Sequence, residues 1–128
     1  MRNRDLTLTY RSSGRVVTEA QYDLFKRCEL ERDALAALRD MCAARGVLFH
    51  ATPTSERGIA DLIALGAPVL KNGSDYLTHL PLIAALGKSQ RPVVLSVGMA
   101  TLAEIDRAVA AVWGAGNRDL GLLHCTSS

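Results

Sequence analysis

Ala67-Pro68-Val69-Leu70-Lys71-Asn72-Gly73-Ser74-Asp75 runs from an apolar stretch straight into a cation and a polar turn. The apolar part does not alternate inward and outward residues, which is how a strand reads when both of its faces are covered. Strands of that kind, joined by helices, lie parallel to one another. The turn then falls at the carboxyl end of the strand, where parallel α/β folds gather their ligand-binding groups.

The same rhythm extends in both directions in units of about 20 to 28 residues, as repeated βα units require. Upstream, Val47 to Thr52 reads as a strand closed by Pro53, and downstream Pro92 to Ser96 and Leu120 to Cys125 read as two more. Between them lie amphipathic helices. One starts at Thr54 or Ser55, buries Ile59, Leu62 and Ile63 and stops at Gly66; one carries Leu80, Ile83 and Leu86. Another opens with Thr101 and Glu104, a capping box, and places Leu102, Ile105, Val109 and Val112 on its inner face. Before the first strand, Thr18 and Gln21 cap a helix over Glu19 to Arg27. A longer helix spans Glu31 to Arg45, with Leu35, Leu38, Met41 and Cys42 as its buried stripe and Gly46 as its stop. Residues 1–17, polar and basic with Ser12-Ser13-Gly14, read as a loop or mobile arm, leaving 18–128 as the folded domain.

The class is therefore α/β with a parallel sheet. Periodicity leaves two architectures open: a doubly wound open sheet, which fits the 128-residue length, and a (β/α)₈ barrel, which needs about 250 residues. No Gly-x-Gly-x-x-Gly or P-loop pattern lends the open sheet a nucleotide signature.

Bulk composition narrows the function classes. At 48% hydrophobic and 22% charged the chain is a globular protein and not a disordered one. A net charge of +2, with Arg2, Arg4, Arg11 and Arg15 not interleaved with aromatics, argues against nucleic acid as a partner. Cys28, Cys42 and Cys125 form no C-x-x-C pair, which points to a reducing compartment, the cytoplasm. No apolar run approaches the roughly 18 residues of a membrane span, and Met1 to Tyr10 lacks the apolar core of a signal peptide, so no membrane partner is expected.

The strand ends carry the candidate chemistry. Thr52 ends the first strand, Lys71 ends the second with Ser74 after it, Ser96 ends the third, and His124, Thr126, Ser127 and Ser128 stand at the end of the fourth. An ammonium, several hydroxyls and a glycine-containing turn suit a small phosphate or carboxylate ligand. Each hydroxyl taken singly is explained as well by helix capping. Lys71 is harder to assign a bland role, because it follows Val69 and Leu70 where an unpaired ammonium is costly. His124 fits either a ligand-facing position or a core position; His50 and His79 have no metal-ligand spacing, and no metal ligand set is assigned to this chain. His124 and Cys125, adjacent on a strand, face opposite sides and do not form a nucleophilic pair.

Four stretches together are familiar: His50-Ala51-Thr52-Pro53; Leu70 to Asp75 followed by Leu77 to Leu82; Pro92 to Thr101; and Leu122 to Ser127. In order and spacing they resemble the N-acetylneuraminate (sialic acid) synthase family, from about Tyr22 onward. The resemblance implies a (β/α)₈ barrel, of which this chain holds about half, the third to sixth strands. It implies condensation of phosphoenolpyruvate with an N-acylated mannosamine or related amino sugar, aided by a divalent metal, manganese or magnesium, in an enzyme that is a homodimer at full length. In that scheme C3 of phosphoenolpyruvate attacks the open-chain aldehyde, water adds at C2, and phosphate leaves. The implied phosphoenolpyruvate contacts are Thr52, Lys71, Ser74 and Ser96, and Ser127 falls where the family has a small polar residue near substrate, often Asn. Asn72 stands where Lys-x-Gly-Ser has an apolar residue, and Val97 where Thr is commoner. The family's first-strand glutamate, second-strand lysine, two metal-binding histidines and C-terminal antifreeze-like domain have no counterpart here. The expectation is therefore a fragment, inactive alone. The alternative is a non-catalytic α/β anion-binding module, or a half barrel that assembles by dimerisation.

Overall fold

The computed structural model describes residues 5–126 and divides the chain into two compact units, Met1–Leu35 and Ala36–Ser128. In the first, β1 (Thr7–Ser12) and β2 (Arg15–Ala20) pair antiparallel, from Thr7 opposite Ala20 to Ser12 opposite Arg15. The loop of two residues, Ser13 at φ 49° and Gly14 at φ 78°, has the left-handed backbone whose twist matches that of paired strands. Of the segment expected to be a loop or arm, residues 7–17 thus belong to a hairpin, while residues 1–4 lie outside the described residues. Thr18, expected to cap a helix, is instead in β2 facing Thr9, their hydroxyls 2.8 Å apart. The helix that follows, α1, covers Gln21–Arg27 with Ala20 at its N-cap. A β-branched run, Val16-Val17-Thr18, favours the pleated strand over the helix that the Thr18–Gln21 spacing suggests.

Helix α2 spans Arg32–Ala44, inside the expected limits, but none of its residues is buried; Leu38 and Met41 of the expected stripe are exposed. Beyond it, Val47 to Pro53 is not a strand. Val47 and Leu48 are exposed, Phe49 and Ala51 lean on the core, and Pro53 is buried. A strand exists by its ladder, and among the described residues no ladder pairs this segment.

The second unit otherwise follows the βα plan. After α3 (Glu56–Ala64) come β3 (Leu70–Asn72), a single 3₁₀ turn at Ser74–Tyr76, α4 (Leu80–Lys88), β4 (Val93–Ser96), α5 (Leu102–Gly114) and β5 (Leu120–Leu123). The three strands form one parallel sheet in the order β3-β4-β5, with Leu70 beside Val93 and Val93 beside Leu120. Sequence placed these strands correctly, with each one shorter than expected.

Helix starts follow local chemistry. Ser55 Oγ accepts the Gly58 N–H at 3.1 Å to open α3. At α5, Thr101 Oγ1 accepts the Glu104 N–H at 3.3 Å while Glu104 Oε2 accepts the Thr101 N–H at 2.8 Å, the expected capping box. The Thr101 N–H and, at 2.8 Å, the Thr101 hydroxyl both donate to Glu104 Oε2 and hold the Glu104 carboxyl below its ordinary pKa. Leu102, expected on the inner face, is exposed at the first position of α5.

The core lies between one face of the sheet and the helices. Leu70, Val93 and Leu95 meet Leu82, Ile83, Leu86, Ala108 and Val112, all nearly inaccessible. The ladder partners define the other face, from which Lys71, Val94, Ser96 and Leu123 project. No helix among the described residues is long and apolar enough to cross a membrane.

Candidate anion site at the carboxyl edge of the sheet

Parallel strands end at one edge, and here that edge collects the hydroxyls and the lysine. Lys71 lies within β3 and Ser96 at the end of β4. The register sets Lys71 beside Val94, so the two functional side chains rise from the same sheet face, about one pleat repeat apart. Lys71 is half-buried and Ser96 is buried.

The turns after these strands are drawn close by two glycines. A Cβ built on Gly73 would stand 3.7 Å from Thr52 Cγ2, so Thr52 borders the turn that follows Lys71. A Cβ on Gly98 would stand 3.5 Å from Ser74 Oγ and 3.3 Å from Cys125 Cβ, so the turns after β3 and β4 and the segment after β5 touch at this point. The four expected contacts Thr52, Lys71, Ser74 and Ser96 therefore sit on adjoining segments of one edge. Ser127 lies outside the described residues.

Among the described residues, none of these groups has a charged or strongly hydrogen-bonding partner. Lys71 Nζ has one hydrogen bond, a long 3.5 Å contact to the Asn72 carbonyl, and no carboxylate partner among the described residues. The hydroxyls of Thr52, Ser74 and Ser96 likewise have no hydrogen-bond partner among them. The capping role that the Ser and Thr residues could have had falls instead to Ser55 and Thr101. An ammonium and three hydroxyls, all donors with unfilled capacity, have the chemistry to receive an anion's oxygens.

The other residues singled out from sequence take different roles. His124 is exposed, so it is not a core histidine. His50 is exposed too, and His79 is the N-cap of α4, its Nδ1 accepting the Leu82 N–H at 3.3 Å. Trp113 on α5 is partly exposed and carries the Arg118 guanidinium 5.0 Å over its ring. The three cysteines are free. Among the described residues no three His, Cys, Asp or Glu side chains come together as metal ligands, so no step is routed through a metal in this chain. An apolar hollow of about 370 Å³ opens beside the edge, between the turn carrying Met99 and the residues after β5, and His124 and Cys125 form one wall.

The parallel sheet with its helices, presenting a lysine, hydroxyls and glycine turns at its carboxyl edge, places the second unit among α/β folds. Within that class the chain belongs to the NeuB family, whose model matches residues 1–128. It is 33% identical over 100 residues to the N-acetylneuraminate-9-phosphate synthase of Drosophila melanogaster, covering 78% of this chain and 27% of that protein. It is 31% identical over 123 residues to the N,N'-diacetyllegionaminic acid synthase of Legionella pneumophila, covering 93% and 35%. Among solved structures, the N-acetylneuraminic acid synthetase of Leptospira borgpetersenii, in complex with citrate, superposes with a TM-score of 0.79 at 30% identity, over 84% of this chain and 37% of that one. The chain spans about a third of the length of the relatives it matches.

Proposed function

We propose that this chain is the phosphoenolpyruvate-holding part of a sialic-acid-type synthase, corresponding to the third to sixth strands of its (β/α)₈ barrel. The observation that carries the proposal is Lys71: a half-buried ammonium without a carboxylate partner among the described residues, beside three hydroxyls in the same condition. A cation left in that state is stabilised by a bound anion, and the sialic-acid-type relatives supply the class of reaction.

In this scheme Lys71 neutralises phosphoenolpyruvate charge while Thr52, Ser74 and Ser96 donate to its phosphate and carboxylate oxygens. Ser127 is proposed to complete the set near substrate. Held at several points, the enol presents C3 to the aldehyde carbon of an open-chain N-acylated amino sugar. The C3–aldehyde bond forms, the aldehyde oxygen takes up a proton, and water adds at C2. The C2–O bond to phosphorus then breaks, releasing inorganic phosphate and leaving the 2-keto acid. The ammonium and the hydroxyl donors stabilise charge on the phosphate as it departs. The divalent metal expected of the family, the homodimer and the cytoplasmic setting belong to this proposal for the whole enzyme, as does the inactivity of the chain by itself.

The test is calorimetric titration of phosphoenolpyruvate into the chain and into Lys71→Met. Binding that weakens about a hundredfold in the variant supports the assignment. Equal binding by both chains would remove Lys71 from the site and the proposal with it.

A further inference from the structure

Asn72 is the last residue of β3 and is fully buried on the helix-covered face, beside Leu95 in the ladder. An amide in that place is expensive, and it is only half satisfied: Nδ2 donates to the Gly73 carbonyl at 2.7 Å, while Oδ1 is buried without a partner among the described residues. An apolar residue of similar size would avoid the cost. The amide has one structural effect, and it falls on the turn that carries Ser74.

The Gly73 carbonyl receives two hydrogen bonds, from Asn72 Nδ2 and from the Tyr76 N–H at 3.0 Å. Two donors fix the direction of one carbonyl and with it the whole Gly73–Ser74 peptide plane. No cis peptide occurs among the described residues, and in a trans peptide the N–H points opposite to the C=O. Pinning the carbonyl against Asn72 therefore turns the Ser74 N–H away from it. That N–H has no acceptor among the described residues, and it belongs to the same residue as one of the free hydroxyls.

We propose that Asn72 is a positioning residue: by holding the Gly73 carbonyl it aims the Ser74 N–H, together with the Ser74 hydroxyl, at the bound anion. The inference rests on the anion-site reading and adds a backbone donor to it. Asn72 itself does not touch the ligand.

The test is made by NMR on the labelled chain, with inorganic phosphate and phosphoenolpyruvate as separate probes. Expected in the wild-type chain are a through-hydrogen-bond coupling between Asn72 Nδ2 and the Gly73 carbonyl carbon, and a downfield shift of the Ser74 amide proton when phosphate is added. In Asn72→Leu the Gly73 carbonyl carbon should move upfield, the Ser74 response should vanish, and phosphate affinity should fall about tenfold with the melting temperature unchanged or raised. An unchanged Gly73 carbonyl in the variant, or a Ser74 amide that still responds fully, overturns the proposal. Should Asn72→Leu not fold, the wild-type measurements decide, since a missing coupling or a silent Ser74 amide overturns it equally. Phosphate binding with the Ser74 shift but without phosphoenolpyruvate binding would sink the synthase reading and leave Asn72 in its role. Phosphoenolpyruvate binding with a silent Ser74 would do the reverse.

Discussion

Gly98 stands in contact with both Ser74 and Cys125: a Cβ built on it would lie 3.5 Å from the Ser74 hydroxyl oxygen and, more tightly, 3.3 Å from Cys125 Cβ. The contact joins the turn after β4 to the turn after β3 and keeps the Ser74 hydroxyl at the shared edge. Alanine at this position needs its neighbours to give by a few tenths of an ångström. Valine adds methyls for which the same gap leaves no room. Gly98→Ala is expected to weaken phosphate binding a few-fold and Gly98→Val by about tenfold or more, with the larger effect on binding rather than on melting temperature. Titration calorimetry on both variants reads the order, and a Gly98→Val chain that binds as tightly as wild type would show that this contact does not shape the site.

A second glycine tests packing away from the site. Gly87 lies where α4 crosses α5, and a Cβ there would meet Ala115 Cβ at 2.9 Å and the Val112 carbonyl oxygen at 3.0 Å. Gly87→Ala gains up to about 1 kcal/mol of helix propensity. Against this it forces backbone apart at a cost of about 1–3 kcal/mol. The expected net result is destabilisation by about 1 kcal/mol, a fall in melting temperature of several degrees. Gly114, the last residue of α5, has nothing within 4 Å of its built Cβ, so Gly114→Ala is the control and should leave stability unchanged or slightly raised. The same sign for both variants in thermal denaturation would contradict the close approach of the two helices.

How much of this was legible beforehand differs from element to element. Val69-Leu70 and Val93-Val94-Leu95 announce strands by their unbroken apolar runs, and the helices between them carry their stop and start signals within a few residues. The Val47–Thr52 segment has the same composition, yet whether it pairs depends on a neighbouring strand, which no local pattern encodes. The α2 stripe fails for a related reason: periodicity reports which side of a helix is apolar, and not whether anything covers it. In the site, residue types at strand ends pointed to Thr52, Lys71, Ser74 and Ser96. Asn72 was visible as a departure from the family pattern, but its hold on the Gly73 carbonyl depends on the backbone geometry of the turn.

The outer strand of the sheet yields a prediction about association. β5 pairs with β4 alone among the described residues, and Leu122 and Leu123, on opposite sheet faces, are 48% and 43% exposed. An open edge with apolar side chains on both faces is a template for another strand. The chain is expected to elute in size-exclusion chromatography ahead of a 13.8 kDa monomer, and Leu123→Lys to shift it toward the monomer volume. Elution of the unsubstituted chain as a monomer at all concentrations would show that this edge is not adhesive.

The N-terminal hairpin carries its own pH dependence. Glu19 in β2 accepts hydrogen bonds from both terminal nitrogens of the Arg27 guanidinium, at 2.6 and 2.9 Å, and from the Tyr10 hydroxyl. The Arg27 bonds are the larger cause, the Tyr10 bond the next, and together they lower the Glu19 carboxyl from 4.5 to about 2. The same hydrogen bond to Glu19 raises Tyr10 above its ordinary pKa. With the folded value below the unfolded one, the unfolded chain takes up a proton first as the pH falls. The contribution of the cluster is therefore complete above about pH 4.5 and is lost as the pH falls toward 2. Following the Glu19 side-chain carboxyl carbon by NMR should give a midpoint well below that of an ordinary glutamate. Arg27→Met should bring that midpoint upward while leaving the Tyr10 hydroxyl in place. A wild-type Glu19 that titrates near 4.5 would mean that the bidentate pair is not formed in solution.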